Sequence, residues 1–217
     1  MYLNLFELTG IPEFYSKGVS GNGEFYYMNN SLVYFSYPEG SSELNLPKNE
    51  DGTLKCITVK GFLHSEEQDG FITCYDCNTE FSKKITLTYL TVTSFMETTP
   101  VTTILDKPQP NSYGVVLGDV QSIREVEGRE RSFYMARLAI KDTTAEVGFS
   151  YVSVSSLHPF TVEKGDRLLA KGRLTTSQHC LNAICPECQC INSEVIDSSV
   201  LQASSIQSFN IPKNYFK

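Results

Sequence analysis

The segment Val162-Glu163-Lys164-Gly165-Asp166-Arg167-Leu168 is the most informative about the fold of the second half of the chain. Its Lys-Gly-Asp segment is typical of a tight turn, and the apolar residues after Arg167 predict a strand that contains Gly172. Upstream, Leu138-Ala139-Ile140-Lys141-Asp142-Thr143-Thr144 also reads as a strand that ends at an Asp turn. Working outward, short apolar runs between turn residues predict five strands: Tyr113–Val120, Phe133–Lys141, Val147–Val152, Arg167–Thr175 and Cys180–Ile184. Only 152–157 and 195–206 fit short helices, so the chain is predicted to be mainly β.

Three segments of the first half recur in the second half in the same order. The matches are Val33–Tyr37 with Val147–Tyr151 at an offset of 114 residues, Val59–Leu63 with Ala170–Leu174 at 111, and Cys74–Cys77 with Cys185–Cys188 at 111. One order at nearly one offset indicates an internal repeat. The sequence therefore predicts a first domain at 1–95, a Pro/Thr-rich linker at 96–112, and a second domain at 113–217 that includes a C-terminal extension.

The Leu138–Thr144 and Val162–Leu168 segments, together with Gly172, resemble the OB-fold family of replication protein A and of anticodon-binding domains. The resemblance covers residues 113–176 and reaches the first half through the repeat, where Asn29-Asn30 replaces the Asp-Thr-Thr turn. It implies two tandem five-stranded OB-fold barrels of Greek-key topology. It also implies binding of single-stranded nucleic acid across the second and third strands and the loops beside them.

Single-strand binding needs aromatic rings on which bases stack and cations near the phosphates. In the strand at 132–141, alternation gives an apolar inner face and an outer face that carries Phe133, Arg137 and Lys141. The candidate nucleic-acid-binding residues are Tyr34, Phe35, Tyr37, Arg124, Arg129, Arg131, Phe133, Arg137, Lys141, Phe149 and Tyr151. The rings of the Phe-Ser-Tyr segments fit a barrel core equally well, because aromatic residues favour strands in any case.

The Cys-x-x-Cys pairs can each turn two sulfurs to one side, as structural zinc sites require, and such a site needs four ligands. The candidate ligands are Cys74, Cys77, Cys180, Cys185, Cys188 and Cys190. Two arrangements remain open: a local site made by the four cysteines of the second half, or one ion shared by the two Cys-x-x-Cys pairs. Buried thiols or a labile disulfide are the alternatives to metal.

Charge and composition limit the partners and the compartment. The chain has 217 residues, 41% hydrophobic residues and a net charge of −7, which is ordinary for a globular protein and not for one that grips duplex DNA. All of that charge lies in residues 1–104, since residues 105–217 have 12 basic and 12 acidic residues. No apolar run is long enough for a membrane span and no secretion signal is visible, so we expect a cytoplasmic protein without a membrane partner.

No catalytic motif surrounds the three histidines, and no phosphate-binding glycine loop is present, so an enzyme is not expected. The sequence favours a single-stranded DNA-binding protein with little sequence specificity that acts in replication, recombination or DNA transfer. Replication or recombination proteins are expected further partners, and oligomerisation is possible. The alternatives are an OB-fold protein-interaction adaptor, which the acidic first half would suit, and an RNA-binding protein.

Overall fold

The computed structural model describes residues 2–18, 21–99, 111–127, 132–141 and 149–209, with the backbone alone at 111, 149 and 177–180. These residues form strands and turns, and no helix capable of crossing a membrane occurs among them. The strands are β1 (Leu3–Gly10), β2 (Glu13–Lys17), β3 (Gly23–Met28), β4 (Ser31–Ser36), β5 (Ile57–Thr73), β6 (Glu80–Glu97), β7 (Asn111–Val126), β8 (Phe133–Lys141), β9 (Phe149–Ser156), β10 (Arg167–Ile184) and β11 (Ile191–Phe209). The mainly β prediction is confirmed. The two expected helices at 152–157 and 195–206 are wrong, because both segments lie in strands, β9 and β11.

All eleven strands belong to one sheet, in the order β10-β11-β9-β8-β7-β1-β5-β6-β4-β3-β2. A further β10–β7 pairing closes five strands of the second half into a ring. In the first half, β1, β5, β6, β4 and β3 pair in the order in which β7, β10, β11, β9 and β8 pair in the second. The β1–β7 pairing joins the two halves, and buried residues of both contribute to one core.

The two long hairpins, β5–β6 and β10–β11, share their irregularities at an offset of 111 residues. The register of β5 shifts between Lys60 and Gly61, and that of β10 shifts between Lys171 and Gly172. A Cβ at either glycine would clash with a carbonyl oxygen of the paired strand. Glycine is therefore required where the two backbones approach at each bulge.

The pairing of β4 with β6 and of β9 with β11 corrects one of the sequence matches. Val33 lies opposite Leu90, and Val154 lies opposite Leu201. Since Leu90 and Leu201 are related by the 111-residue offset of the hairpins, Val33 corresponds to Val154. The two strands are equivalent, but the 114-residue match of Val33 with Val147 is wrong by seven residues.

The prediction of one domain on each side of a linker stays a prediction. Residues 100–110 of the linker lie outside the described residues, while β6 runs to Glu97 and β7 begins at Asn111. The structure has a single eleven-stranded sheet with one ring of five strands, rather than two sheets with separate cores.

Candidate nucleic-acid interface and cysteine cluster

The two long hairpins extend beyond the shared core as arms. The core includes Leu63 and Leu90 on one hairpin and Leu174 and Leu201 on the other, and none of its members lies nearer to the hairpin turns. We call 64–89 the first arm and 175–200 the second arm. Because the chain turns at 74–79 and 185–190, the Cys-x-x-Cys pairs lie at the tips of the arms.

Each arm contacts the opposite half of the sheet through a side-chain hydrogen bond. The Ser65 Oγ of the first arm donates a hydrogen bond of 2.6 Å to the carbonyl oxygen of Tyr151 on β9. The Thr176 Oγ1 of the second arm donates to the carbonyl oxygen of Asn30, just before β4. The two contacts are equivalent, since Ser65 and Thr176 are related by the hairpin offset and Asn30 and Tyr151 by the β4–β9 offset.

The first arm and the second half enclose a groove of about 400 Å³, which we call the basic groove. The exposed side chains of Arg124 and Arg137 line it. The Arg137 guanidinium lies 4.3 Å from the centroid of the half-buried Tyr151 ring, which is a cation–π contact. Lys84 of the arm forms the opposite wall and pairs with Asp69 at 2.9 Å. The groove thus combines a ring with cations from both sides.

The second arm and the first half enclose an equivalent groove of about 350 Å³, which we call the aromatic groove. Tyr15 and Tyr27 line it with their ring centroids 4.9 Å apart. Glu194 and Asp197 of the arm lie on its opposite wall. Burial, followed by the charges of Tyr15 and Asp197, raises the pKa of Tyr27.

The two grooves differ in charge at equivalent positions. Strand pairing relates Arg124 to Ser16 and Arg137 to Tyr27, and the hairpin offset relates Lys84 to Val195. Each cation of the basic groove is therefore replaced by an uncharged residue, and the aromatic groove has one cation of its own, Lys17. The grooves adjoin, because Ile85 and its equivalent Ile196 line both of them.

The structure brings together three of the sequence-predicted binding residues, Arg124, Arg137 and Tyr151. Phe133 lies instead in a larger groove beside His158, and Lys141 is exposed at the end of β8. Arg129 and Arg131 lie outside the described residues, and so does the side chain of Phe149.

The aromatic candidates of the first half lie elsewhere. Phe35 is 2% exposed and packs against Tyr26 and Phe95 in the core, so the core alternative holds for this ring. Tyr34 is half-buried and contacts Phe25 with the two rings tilted by 48° and their centroids 4.8 Å apart. The Tyr37 hydroxyl donates a hydrogen bond to Glu24.

Sequence reasoning missed Lys84 and Tyr15. Lys84 lies on an arm, and its place in the groove depends on how the arm crosses the opposite half. Tyr15 lies at a shift in the β2–β3 register, where simple alternation does not predict which face of the sheet a side chain lies on. The repeat offset of 111 is the signal that could have related the two arms.

Four cysteines meet where the arm tips touch. The Sγ atoms of Cys74, Cys77, Cys185 and Cys188 all lie within 4.8 Å of one another. The distance is 3.5 Å from Cys74 to Cys188 and 3.6 Å from Cys77 to Cys185, and these two pairs are equivalent under the hairpin offset. Of the two metal arrangements left open by the sequence, the structure has the geometry of the shared one. Cys190 is not one of these four, although its Sγ lies 3.3 Å from that of Cys188, and it has the position that Thr79 has on the other arm. The side chain of Cys180 is not described.

Both tips have the same turn geometry around the first sulfur. The backbone N–H groups of Cys77 and Asp76 donate hydrogen bonds to the Cys74 thiol and lower its pKa to about 6. Those of Cys188 and Glu187 donate to the Cys185 thiol in the same way, but burial and the neighbouring thiols of Cys77 and Cys188 outweigh them and raise the pKa of Cys185 to about 11. Asn78 and Gln189 close the turns with positive φ angles of 57° and 62°. Such donors stabilise thiolate, the form of cysteine that binds metals.

The four thiols of the cluster differ in pKa, since those of Cys74 and Cys77 are lowered and those of Cys185 and Cys188 are raised. The hydrogen bond from Thr79 lowers the pKa of Cys77. At Cys188 a backbone hydrogen bond from Cys190 acts in the same direction, but the thiols of Cys190 and Cys74 outweigh it and raise the pKa to about 12. Like charges this close oppose one another, so all four thiols ionise together only if a cation neutralises them.

A solved structure resembles the fold over the whole chain. The crystal structure of a deletion mutant of the single-stranded DNA binding protein from Thermus aquaticus matches with a TM-score of 0.55 at 11% sequence identity. The match covers 98% of this chain and 98% of that one. The sequence matches no protein-family profile and no curated protein. The likeness therefore establishes that the chain has the mainly β fold of that protein.

Proposed function

We propose that the chain binds single-stranded DNA with little sequence preference and acts by binding rather than by catalysis. One observation carries the proposal: the basic groove places the Arg137–Tyr151 pair beside Arg124 and opposite Lys84. An aromatic face accepts any base, and cations track phosphates without reading sequence. The likeness to a single-stranded DNA binding protein supports the same function.

The proposal includes a role in DNA replication, recombination or DNA transfer, with proteins of those processes as further partners and a place in the cytoplasm. It also treats the two halves as two copies of one OB-type unit. The common pairing order and the equivalent bulges at Gly61 and Gly172 support that division. The four clustered cysteines support a structural zinc ion.

The experiment is a titration of a fluorescently labelled oligo(dT) with the full chain at two salt concentrations, followed by anisotropy. Binding should weaken with salt, because phosphate neutralisation releases counterions. Competition with unlabelled oligo(dC), RNA and duplex DNA then measures preference. Absence of binding at low salt would refute the proposal, and tighter binding of RNA would favour the RNA alternative.

A protein-interaction adaptor is the second candidate. It rests on the aromatic groove, whose exposed Tyr15 is accompanied by acidic side chains that repel phosphate. Asp197 Oδ1 and Ser199 Oγ line this groove without a hydrogen-bond partner among the described residues. Glu194→Gln/Asp197→Asn should leave DNA affinity unchanged or raise it if this groove is used for proteins alone.

A further inference from the structure

The tips of the arms have little apolar packing, since Ile72 and Ala183 are the buried apolar residues described there besides the cysteines. Cys74 and Cys185 are fully buried, whereas Tyr75, Ile184 and Ile191 are 79%, 62% and 73% exposed. A two-stranded hairpin without a packed face is marginally stable in water. The contact between the tips therefore needs another source of stability.

We infer that the four cysteines hold one zinc ion shared by the two arms, and that this ion acts as a clasp that fixes the walls of both grooves. Tetrahedral zinc with Zn–S bonds of about 2.3 Å places sulfurs about 3.8 Å apart, close to the sulfur spacing in the cluster. Four thiolates are a ligand set that zinc prefers. A disulfide would need sulfurs about 2.05 Å apart, and all four cysteines are free in the structure.

Second-sphere contacts also join the arms at this point. Asn192 of the second arm is 2% exposed, and its Nδ2 donates to the Cys74 Sγ of the first arm at 3.6 Å. Its Oδ1 accepts a hydrogen bond from the backbone N–H of Tyr75. Polar groups that hydrogen-bond a ligating atom orient it and tune the site.

The clasp bears on DNA binding through the arms, and this part of the inference rests on the proposed function. Lys84 and Ile85 lie on the first arm seven and eight residues after Cys77, and both line the basic groove. Ile196 on the second arm has the equivalent place after Cys188. Besides the contacts at the tip turns, the hydrogen bonds described between the first arm and the second half are those from Ser65 to Tyr151 and from Lys83 to the Asn182 carbonyl, so loss of the tip contact would loosen the wall of the groove.

The test uses the full chain purified without chelator under reducing conditions. Elemental analysis should find about one zinc per chain. Cys77→Ser, at an exposed ligand, should lose the zinc, whereas Cys190→Thr should keep it because threonine is the residue at the equivalent position 79. Dissociation of oligo(dT) from Cys77→Ser should be about tenfold faster at unchanged strand content, measured by stopped-flow fluorescence and circular dichroism.

Three results would overturn the inference: a chain without zinc, loss of zinc in Cys190→Thr with retention in Cys77→Ser, or unchanged dissociation after zinc loss. An intact mass lower by about 4 Da would mean that two disulfides take the place of the ion. Failure of the proposed function gives a different result. A chain that contains zinc but does not bind oligo(dT) would refute DNA binding and leave the metal site in place.

Discussion

Phe6 and Gly114 face each other across the β1–β7 pair and also occupy equivalent positions in the two halves of the sheet. The equivalence follows from the hairpins, since Phe6 pairs with Gly61 and Gly114 pairs with Gly172. An internal pseudo-two-fold axis therefore passes between these two residues. The Phe6 ring fills the space that a side chain at Gly114 would need.

We expect Gly114→Ala to destabilise the chain by about 1–3 kcal/mol, because overpacking forces the Phe6 ring or the backbone to move. Urea unfolding followed by circular dichroism measures the loss. Phe6→Leu/Gly114→Ala should recover part of it, since the shorter side chain leaves room for the new methyl group. Strict additivity of the two substitutions would contradict the proposed contact.

The requirement for glycine at the Gly61 bulge can be tested against Gly70, a control position on the same strand. Gly61→Ala should lower the melting temperature by several degrees, because the new Cβ would meet the backbone carbonyl of Thr91. Gly70→Ala should cost far less, since its nearest neighbours are atoms of the flexible Ile85 side chain. Equal shifts for the two variants would show that the bulge does not require glycine.

Tyr151→Ala should weaken oligo(dT) binding about tenfold, as expected for the loss of one stacking ring. The slope of log affinity against log salt should stay the same, and Tyr151→Phe should bind like the parent. Tyr37→Ala serves as the comparison in the other half, where the hydroxyl is bound to Glu24 and the ring lines neither groove. Weaker binding by Tyr37→Ala than by Tyr151→Ala would move the interface to the first half.

Arg137→Ala should lower the salt slope by about 0.7, because one fewer counterion is released from a single strand. Lys55→Ala is a suitable control, since Lys55 pairs with Glu97 and lines neither groove. Anisotropy titrations at four salt concentrations give both slopes. An unchanged slope for Arg137→Ala would remove this side chain from the phosphate path.

Alkaline pH should destabilise the chain through Tyr89. Burial and then the charge of Glu66 raise the pKa of this phenol above its ordinary value of about 10. A raised pKa contributes stability that is complete below pH 10 and declines as pH rises further, because the unfolded chain ionises first. Between pH 9.5 and about 11.5 the melting temperature of Tyr89→Phe should fall less steeply than that of the parent. Parallel curves would mean that Tyr89 ionises equally in both states.

The repeat could be read from the sequence where backbone geometry fixes the residue type. Gly61 and Gly172 lie at bulges and the Cys-x-x-Cys pairs lie at turns. The two sequence matches that contain them therefore have the 111-residue offset that the structure shows for the hairpins. Val33–Tyr37 is an ordinary strand segment, in which alternating aromatic and small residues recur without structural equivalence. The segment 195–206 is instead a strand that pairs with β10, and its terminal apolar residues Val195 and Ile206 are 61% and 37% exposed.

The candidate site could be predicted only in part for a similar reason. Arg137 and Tyr151 lie on neighbouring strands, and alternation along β8 gave the exposed side of Arg137. The contribution of Lys84 arises from the crossing of an arm over the opposite half, which no local pattern encodes. The meeting of Cys74 with Cys188 also depends on that crossing, and sequence could pose it only as one of two arrangements.

Tyr27 and Arg137 hold equivalent positions in the two grooves but differ in charge. This difference bears on the direction in which a strand would bind. Two identical grooves related by a two-fold axis would present the same surface to a strand entering from either end. Under the proposed function, a strand that spanned both grooves would meet an aromatic surface with Glu194, Asp197 and Lys17 at one end and a basic surface at the other. Its 5′-to-3′ and 3′-to-5′ placements would therefore be distinguishable, and the complex would have a polarity.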